Sequence, residues 1–353
     1  MDLKKAIKDI DRPFLIAGPC SAETEEQVNE VVQQIAKHTS ANLLRAGIWK
    51  PRTRPNSFEG VGQEALPWFV AAGKSAGLPT SVEIANRQHV EAALKAGVDV
   101  LWIGARTTVN PFAVQEIADV LKGVAIPVMV KNPVNPDLEL WLGAFERLEQ
   151  AGLTDLVAIH RGFSFYKHPK YRNVPSWEIP IALKERLPHI PLICDPSHIS
   201  GRRDLLAEVA QKAMDLNFDG LMIETHPDPD NAWSDSFQQI TPLVLSELMG
   251  ESPSIASSHG EKLLEMREKI GILDDRLFDI LSARMKISEE VGNFKREQKI
   301  TILQQEHWEK VISKRLISSE DYELTQQFVR KIMDAIHQES IRHQTKVMNP
   351  KNQ

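Results

Sequence analysis

The chain has 353 residues, of which 42% are hydrophobic and 25% charged, and its formal net charge is −6. This composition is typical of a folded globular protein, and the acidic balance argues against nucleic acid as a partner. The sequence has no apolar run long enough to cross a membrane and no signal sequence, and it holds two cysteines, Cys20 and Cys194. We therefore expect a cytoplasmic protein with no disulfides.

Short apolar runs alternate with amphipathic segments over the first part of the chain. The runs lie at 14–18, 42–47, 79–84, 100–105, 127–131, 156–160, 191–195 and 220–224. Eight β-α alternations with nearly continuous apolar strands predict an α/β fold, a parallel (β/α)8 TIM barrel. An open doubly wound sheet is the alternative, which the missing GxGxxG after the first run disfavours.

The pattern changes after residue 250. Residues 251–260 are rich in Ser, Gly and Pro and predict a linker, and an apolar seam spaced by three and four then runs from Leu263 to Phe294. The seam predicts one helix over 261–297, about 55 Å long, followed by helices near 304–316 and 320–347, the last capped within 318–321. We assign 1–250 to the barrel and 261–353 to a small all-α domain. Because so small a domain cannot bury this seam, we expect a homodimer through it.

Reactive side chains follow most of the predicted strands, where the active sites of barrel enzymes lie. One set combines sulfur, nitrogen and oxygen donors suited to a divalent transition metal such as Mn²⁺, Fe²⁺, Co²⁺ or Zn²⁺: Cys20, His198, Glu224 and Asp235. A second set is cationic and calls for phosphate or carboxylate ligands: Arg45, Lys50, Arg52, Arg106, Lys131 and Arg161. A lone cysteine at a strand end is more often a core residue, and we interpret Cys194 in that way.

Several motifs carry a resemblance to a known family. They are AGPCS (17–21), LLRAGIWKPRTRP (43–55), IGARTT (103–108), PVMVKNP (127–133), HRG (160–162), DPSH (195–198) and IETHPDPDNAWSD (223–235). In this order they resemble the 3-deoxy-D-arabino-heptulosonate 7-phosphate (DAHP) synthases, in the short form without an amino-terminal regulatory extension. The resemblance implies that Cys20, His198, Glu224 and Asp235 bind the metal, with Mn²⁺ as the first expectation.

The same resemblance implies the substrates, phosphoenolpyruvate and erythrose 4-phosphate. Phosphoenolpyruvate would contact Arg45, Lys50, Arg106, Lys131 and Arg161. Erythrose 4-phosphate would be held by Lys50, Pro51, Arg52 and Thr53. Lys50 would transfer a proton to the developing alkoxide, and Glu83 would orient the attacking water. Two alternatives stay open: the related synthase that acts on arabinose 5-phosphate, which the KPRT sequence disfavours, and a Schiff-base aldolase that uses Lys131.

The helical region carries its own candidate site. Arg284 occupies a seam position and Lys295 lies three turns further on nearly the same face, while Gln344 continues the face of the last helix marked by Ser340. A buried arginine needs an anion, but a seam arginine can also extend to water or pair with a glutamate of the core. Spacing alone favours neither interpretation.

Residues 262–295, with ESIRHQ at 339–344, are similar to the all-helical chorismate mutases, which are interlaced dimers. The resemblance implies that Arg284, with Arg267 of a second copy, holds the carboxylates of chorismate. Lys295 and Gln344 would bond its ether oxygen, and Ser340 would be a further substrate contact. Gln304, His307 and Trp308 stand where that family usually has an acidic and arginine stretch, so a non-catalytic sensor or dimerisation domain is the alternative. Either interpretation suggests feedback by prephenate or chorismate through this domain.

Overall fold

The protein is described here by a computed structural model covering residues 2–10, 13–50, 57–166, 170–250 and 260–349. The chain divides into two compact units, Met1–Pro253 and Ser254–Gln353. Apart from Gly260, the predicted linker at 251–260 lies outside the described residues. No described helix combines the length and the apolar character needed to cross a membrane.

Eight parallel strands form a closed barrel in chain order, with the eighth strand paired to the first. The strands are β1 (Phe14–Gly18), β2 (Leu43–Ala46), β3 (Thr80–Ile84), β4 (Val100–Ile103), β5 (Val128–Lys131), β6 (Leu156–His160), β7 (Leu192–Cys194) and β8 (Gly220–Glu224). The predicted TIM barrel is confirmed, and the open-sheet alternative is wrong because β8 closes onto β1 in register from Phe14↔Gly220 to Gly18↔Glu224.

Helices connect the strands and cover the barrel. They are α1 (Leu3–Asp9), α2 (Glu25–His38), α3 (Ala65–Ala76), α4 (Arg87–Ala96), α5 (Ala105–Thr108), α6 (Pro111–Leu121), α7 (Leu138–Gln150), α8 (Glu178–Arg186), α9 (Pro196–Ser200), α10 (Leu206–Asp215) and α11 (Pro242–Gly250). Their apolar faces and the outward strand residues form one large core between helices and sheet. This is the usual layering of an α/β barrel.

The barrel interior forms a separate apolar cluster. Phe14, Leu43, Met129 and Met222 belong to it, and side chains from α1 join it. Asp155 accepts the Leu3 amide at 2.6 Å, which fixes the start of α1. Leu3 and Ile7 of α1 therefore cover the amino-terminal end of the barrel interior.

The interior changes from apolar to charged along three of the strands, β2, β5 and β8. Side chains of one strand alternate between its two faces, so positions two residues apart share the interior. Two residues after Leu43, Met129 and Met222 stand Arg45, Lys131 and Glu224, all buried. Strand periodicity alone thus places these three charges inside the barrel at its carboxyl-terminal end.

The described residues of the second unit form three α-helices: α12 (Gly260–Glu297), α13 (Gln305–Ile317) and α14 (Gln326–Met348). Gly292 lies where α12 meets α14, and a Cβ there would come within 2.6 Å of Val347. The glycine therefore allows the close approach of these two helices. Buried side chains of α12 begin at Met285, whereas every described side chain from Lys262 to Ile280 is exposed.

The predicted start of the last helix is wrong. Residues 318–321 do not cap it, because Glu320–Tyr322 form a single 3₁₀ turn and Glu323 adopts a left-handed φ of 54°. A left-handed residue ends regular helical hydrogen bonding. The helix begins after Thr325 instead, whose hydroxyl accepts the Phe328 amide at 3.3 Å.

Candidate active sites

Two buried ion pairs lie at the carboxyl-terminal end of the barrel interior. Arg45 Nη1 donates to Glu224 Oε1 at 2.8 Å, and Lys131 Nζ donates to Asp195 Oδ2 at 2.7 Å. Both cations also lie near the Trp102 indole, with Arg45 Cζ 5.1 Å and Lys131 Nζ 5.8 Å from its centroid. Buried charges persist only when they are paired in this way, so the site can hold fixed cations without water.

The predicted metal ligands come together in two pairs. Cys20 Sγ lies 3.4 Å from Asp235 Oδ2, and His198 Nε2 lies 3.8 Å from Glu224 Oε1. Asp195 lies 2.8 Å from His198 Nδ1 through its Oδ2. A carboxylate this close to Nδ1 favours the tautomer that leaves the Nε2 lone pair available, as in many metal-binding histidines.

Two cationic side chains, Lys50 and Arg45, bond to members of this donor set. Lys50 Nζ lies 2.8 Å from Cys20 Sγ and 2.9 Å from Cys20 O, and Arg45 bonds Glu224. Over the described ranges, no three or more His, Cys, Asp or Glu side chains are arranged to hold an ion. The chemistry of the four side chains fits a divalent transition metal, but their donor atoms do not converge on one centre here.

Burial and neighbouring charges compete in setting the pKa values of the barrel site. Burial, with Glu224 adding to it, raises the pKa of the Cys20 thiol to about 12. Burial alone would also raise the pKa of Glu224, but His198, Arg45 and Lys50 hold it well below its ordinary value. Burial lowers the pKa of His198 despite the nearby Asp195. At neutral pH the structure therefore favours ionised carboxylates and a neutral imidazole.

The other predicted barrel residues are spread around the same end. Trp102 Nε1 donates to Glu83 Oε2 at 3.1 Å. Arg161 is buried, donates to Asn173 Oδ1 at 2.7 Å, and has its pKa lowered to about 10 by burial. Arg106 lies in α5 and is exposed. Pro51, Arg52 and Thr53 lie outside the described residues.

Three residues of the site were missed by sequence reasoning. Asp195 follows a buried strand directly, within the DPSH motif, so its position was a usable signal. Trp102 gave none, because an aromatic residue inside an apolar strand predicts core. Gln238 bonds Glu224 and accepts from Arg172 Nη1 at 2.6 Å, and only the folded loop after β8 brings it there.

The helical unit contains a cavity of about 330 Å³ between its three helices. Its lining includes the predicted residues Arg284, Lys295, Ser340 and Gln344. It also includes Gln304, His307 and Trp308, the three residues that differ from the usual chorismate mutase pattern. Arg284 Nη1 donates to Ser340 Oγ, and Lys295 Nζ donates to Gln344 Oε1 at 3.0 Å and to Ile302 O at 2.7 Å. Partial burial lowers the pKa of both cations.

Arg267 does not reach this cavity within one chain. It is exposed on α12, about 25 Å before Arg284 along the helix axis at 1.5 Å per residue. The remaining predicted residues of the helical site are brought together by a single chain. Any contribution of Arg267 therefore requires a second copy.

The fold and its cavities define a barrel enzyme joined to a helical enzyme domain. Residues 4–255 match the model of the DAHP synthetase I family, and residues 266–345 match chorismate mutase type II. The chain belongs to the DAHP synthetase I family and carries a chorismate mutase type II domain, which makes it a bifunctional enzyme of the shikimate pathway.

Individual relatives agree with the barrel assignment. A phospho-2-dehydro-3-deoxyheptonate aldolase of Thermotoga maritima is 29% identical over 249 residues, covering 70% of this chain and 71% of that protein. A 2-dehydro-3-deoxyphosphooctonate aldolase of Nitrobacter hamburgensis is 28% identical, over 64% and 82% of the two chains. The crystal structure of a Thermotoga maritima DAHP synthase matches with a TM-score of 0.60 at 28% identity, covering 67% of each chain.

Proposed function

We propose that the barrel condenses phosphoenolpyruvate with erythrose 4-phosphate, giving 3-deoxy-D-arabino-heptulosonate 7-phosphate and phosphate. The observation that carries this proposal is the pair of buried cations, Arg45 and Lys131, beside the Cys20, His198, Glu224 and Asp235 donor set. Two anionic substrates repel each other in solution. Fixed cations in a water-excluded site supply both their binding and their alignment.

Separate groups of residues would bind the two substrates and the metal ion. Arg45, Lys131 and Arg161, with the exposed Arg106, bind the phosphate and carboxylate of phosphoenolpyruvate. Arg52 and Thr53 hold the phosphate of the aldehyde substrate. A divalent ion bound by the donor set, with Mn²⁺ as the first choice, supplies Lewis-acid polarisation of the aldehyde oxygen.

The condensation forms one carbon–carbon bond and releases phosphate. The enol carbon of phosphoenolpyruvate attacks the aldehyde carbon, and Lys50 donates a proton to the developing alkoxide. Glu83 orients the water that adds to the resulting cationic carbon, and the carbon–oxygen bond to phosphate then breaks. Trp102 holds the Glu83 carboxylate through its Nε1 at 3.1 Å, which supports this orienting role.

The choice of aldehyde needs a direct assay, since relatives named for octonate chemistry are similarly close. We expect phosphate release from phosphoenolpyruvate with erythrose 4-phosphate and at most a small rate with arabinose 5-phosphate. The reverse preference would overturn the proposed substrate. The Schiff-base alternative is disfavoured by the ion pair of Lys131 with Asp195, which stabilises the charged ammonium. Borohydride with pyruvate should therefore leave Lys131 unmodified.

We propose that the helical cavity rearranges chorismate to prephenate. Arg284 binds one carboxylate, Arg267 of a second copy binds the other, and Ser340 contacts the substrate. Lys295 and Gln344, 3.0 Å apart, would stabilise the charge that builds on the ether oxygen. The reaction is unimolecular, so the cavity needs only to fix the folded conformer and stabilise that charge.

A homodimer through α12 is part of this proposal. Leu273 and Ile280 of the predicted seam are 60% and 66% exposed in a single chain. Burying one such side chain contributes about 1.5–3 kcal/mol. A second copy that packs along this face would bury the seam and bring its Arg267 within reach. We also propose the cytoplasm as the compartment, which suits two free cysteines.

A second candidate for the helical unit is a sensor without turnover. None of the described residues that line its cavity is Asp or Glu. Gln304, His307 and Trp308 lie where the chorismate mutase pattern has an acidic residue. Under either proposal, prephenate bound beside Arg284 would slow the synthase. Arg284→Ala should abolish this inhibition in the full chain. Unchanged inhibition in that variant would place the effector elsewhere.

A further inference from the structure

The helical cavity contains an aromatic pair, Trp308 and His337, that the proposed rearrangement does not use. Trp308 of α13 stacks on His337 of α14, with ring centroids 3.9 Å apart and an interplanar angle of 11°. Both residues line the same cavity as Arg284 and Lys295. His337, Ser340 and Gln344 lie three and four residues apart and therefore share one face of α14.

The stack fixes the plane of the imidazole but leaves its edge available. In the described part of the chain, no residue hydrogen-bonds to the ring nitrogens of His337. A histidine that only filled space could be replaced by an apolar residue at lower desolvation cost. An oriented imidazole edge without a protein partner, facing an otherwise cationic cavity, is a group that a ligand can use.

The charges around His337 identify the chemistry of that ligand. Burial lowers the pKa of His337, and Arg284 and Lys295 of α12 lower it further, whereas Asp334 on its own helix raises it. His307 of α13 also lines the cavity. The free cavity thus keeps the imidazole neutral. A bound carboxylate would offset the two cations and favour a proton on His337.

We infer that His337, held in plane by Trp308, donates a hydrogen bond to the ligand carboxylate that Arg284 binds. This inference rests on the proposed function, since it concerns the dianion of chorismate or prephenate in that cavity. His337 thereby acts as a substrate-binding residue of the mutase domain, and Trp308 as its positioning residue. Binding would be accompanied by proton uptake.

The test is titration calorimetry of the full chain with prephenate, in two buffers of different ionisation enthalpy. We expect His337→Leu to raise the Kd about tenfold or more, because a hydrogen bond to a charged group is lost. We expect His337→Gln, which keeps a donor, to recover part of this affinity but no proton uptake. His343→Leu is the matched control, because His343 lies on the same helix and pairs with Glu289 and Glu339.

The possible results separate the two claims. If Arg284→Ala abolishes binding but His337→Leu binds like the wild type, the role of His337 is overturned and the cavity keeps its proposed function. If the wild-type chain binds neither prephenate nor chorismate, both claims fail together. Equal loss of affinity in His337→Leu and His343→Leu would indicate damage to α14 and would also overturn the specific role.

Discussion

Two cations of the barrel interior and two cations of the helical cavity have opposite kinds of partner. In the barrel, Arg45 and Lys131 are buried against Glu224 and Asp195 at 2.8 and 2.7 Å. In the helical cavity, Arg284 and Lys295 face the neutral partners Ser340 and Gln344. A buried charge without a counter-charge is costly, and the two carboxylates offset the charges of Arg45 and Lys131 within the barrel. The helical cavity keeps an unneutralised positive charge for an anion.

The two regions also differ in how much of the site one chain supplies. The eight strands bring their carboxyl-terminal residues together within a single barrel. In the helical unit every described side chain of α12 from Lys262 to Ile280 is exposed, and Arg267 lies far from the cavity. A closed barrel brings its strand ends together within one chain, whereas the site proposed for the three-helix unit would need Arg267 of a second copy.

The largest expected contrast is the response to metal removal. Dialysis against a chelator should abolish phosphate release by the barrel, because Cys20, His198, Glu224 and Asp235 would lose their ion. Chorismate turnover by the same preparation should persist, since no carboxylate lines the helical cavity among the described residues. Adding Mn²⁺ should restore the synthase. A synthase rate that survives exhaustive chelation would contradict the metal proposal.

Breaking a buried pair in the barrel should have the next largest effect. Lys131→Met leaves Asp195 with one cation fewer, and we expect a loss of about 3–5 kcal/mol of unfolding free energy. Synthase turnover should fall by about 10²–10³-fold, the usual cost of one preorganised donor. Denaturant titration and initial rates measure the two effects.

Lys184→Met is the matched control for that substitution. Lys184 pairs with Asp219 at 3.5 Å and is 30% exposed. A partly exposed pair contributes about 1 kcal/mol or less. Equal destabilisation by the two variants would mean that the barrel charges are no more important than surface pairs.

Disrupting the seam should weaken the helical unit without changing the barrel. Leu273→Lys removes an apolar contact from each copy and should weaken dimer association about 100-fold or more. Asp275→Lys is the control: it places a lysine about 200° around the helix from Leu273 and should leave dimer association unchanged. Sedimentation measures the dimer, and the KM for chorismate should rise only in the Leu273 variant. A monomeric wild type that still turns over chorismate would contradict the shared-site proposal.

The last expected effect appears only as the pH falls, and it concerns the barrel alone. Burial, with Arg161 next, lowers the pKa of His160 to about 3. The unfolded chain binds this proton near its ordinary pKa, so His160 stabilises the fold above about pH 6.5 and loses that contribution as pH falls. The slope is about 1.4 kcal/mol per pH unit between these two pKa values. His160→Leu should flatten the acid side of the barrel stability curve, whereas exposed His189→Leu should not.

Much of the barrel could be predicted because its signals are local. Apolar runs located all eight strands, and several strands begin one residue late because Pro79, Pro127 and Pro191 lack an amide hydrogen. The position of Arg45, Lys131 and Glu224 at the ends of apolar runs also predicted the carboxyl-terminal end of the barrel, where the structure has them. The pairing of Lys131 with Asp195 could not be predicted, because it joins β5 to the loop after β7 across the barrel.

The helical unit was harder to predict in detail. The apolar seam predicted the length of α12. Several Ser and Thr residues could each cap α14, and Thr325 is the cap because the left-handed backbone of Glu323 prevents the helix from starting earlier. The stack of Trp308 on His337 joins two helices and has no periodic signal in the sequence. Cross-helix contacts of this kind arise from tertiary packing, which single-sequence patterns do not encode.

The most direct test of two separate active sites is to follow both reactions in one preparation, with wild type and Arg284→Ala side by side. We expect the wild type to consume chorismate and to condense phosphoenolpyruvate with erythrose 4-phosphate. Arg284→Ala should lose chorismate consumption and retain condensation. A wild type that condenses its substrates but leaves chorismate unchanged would contradict the mutase proposal and make the helical unit a sensor or dimerisation domain.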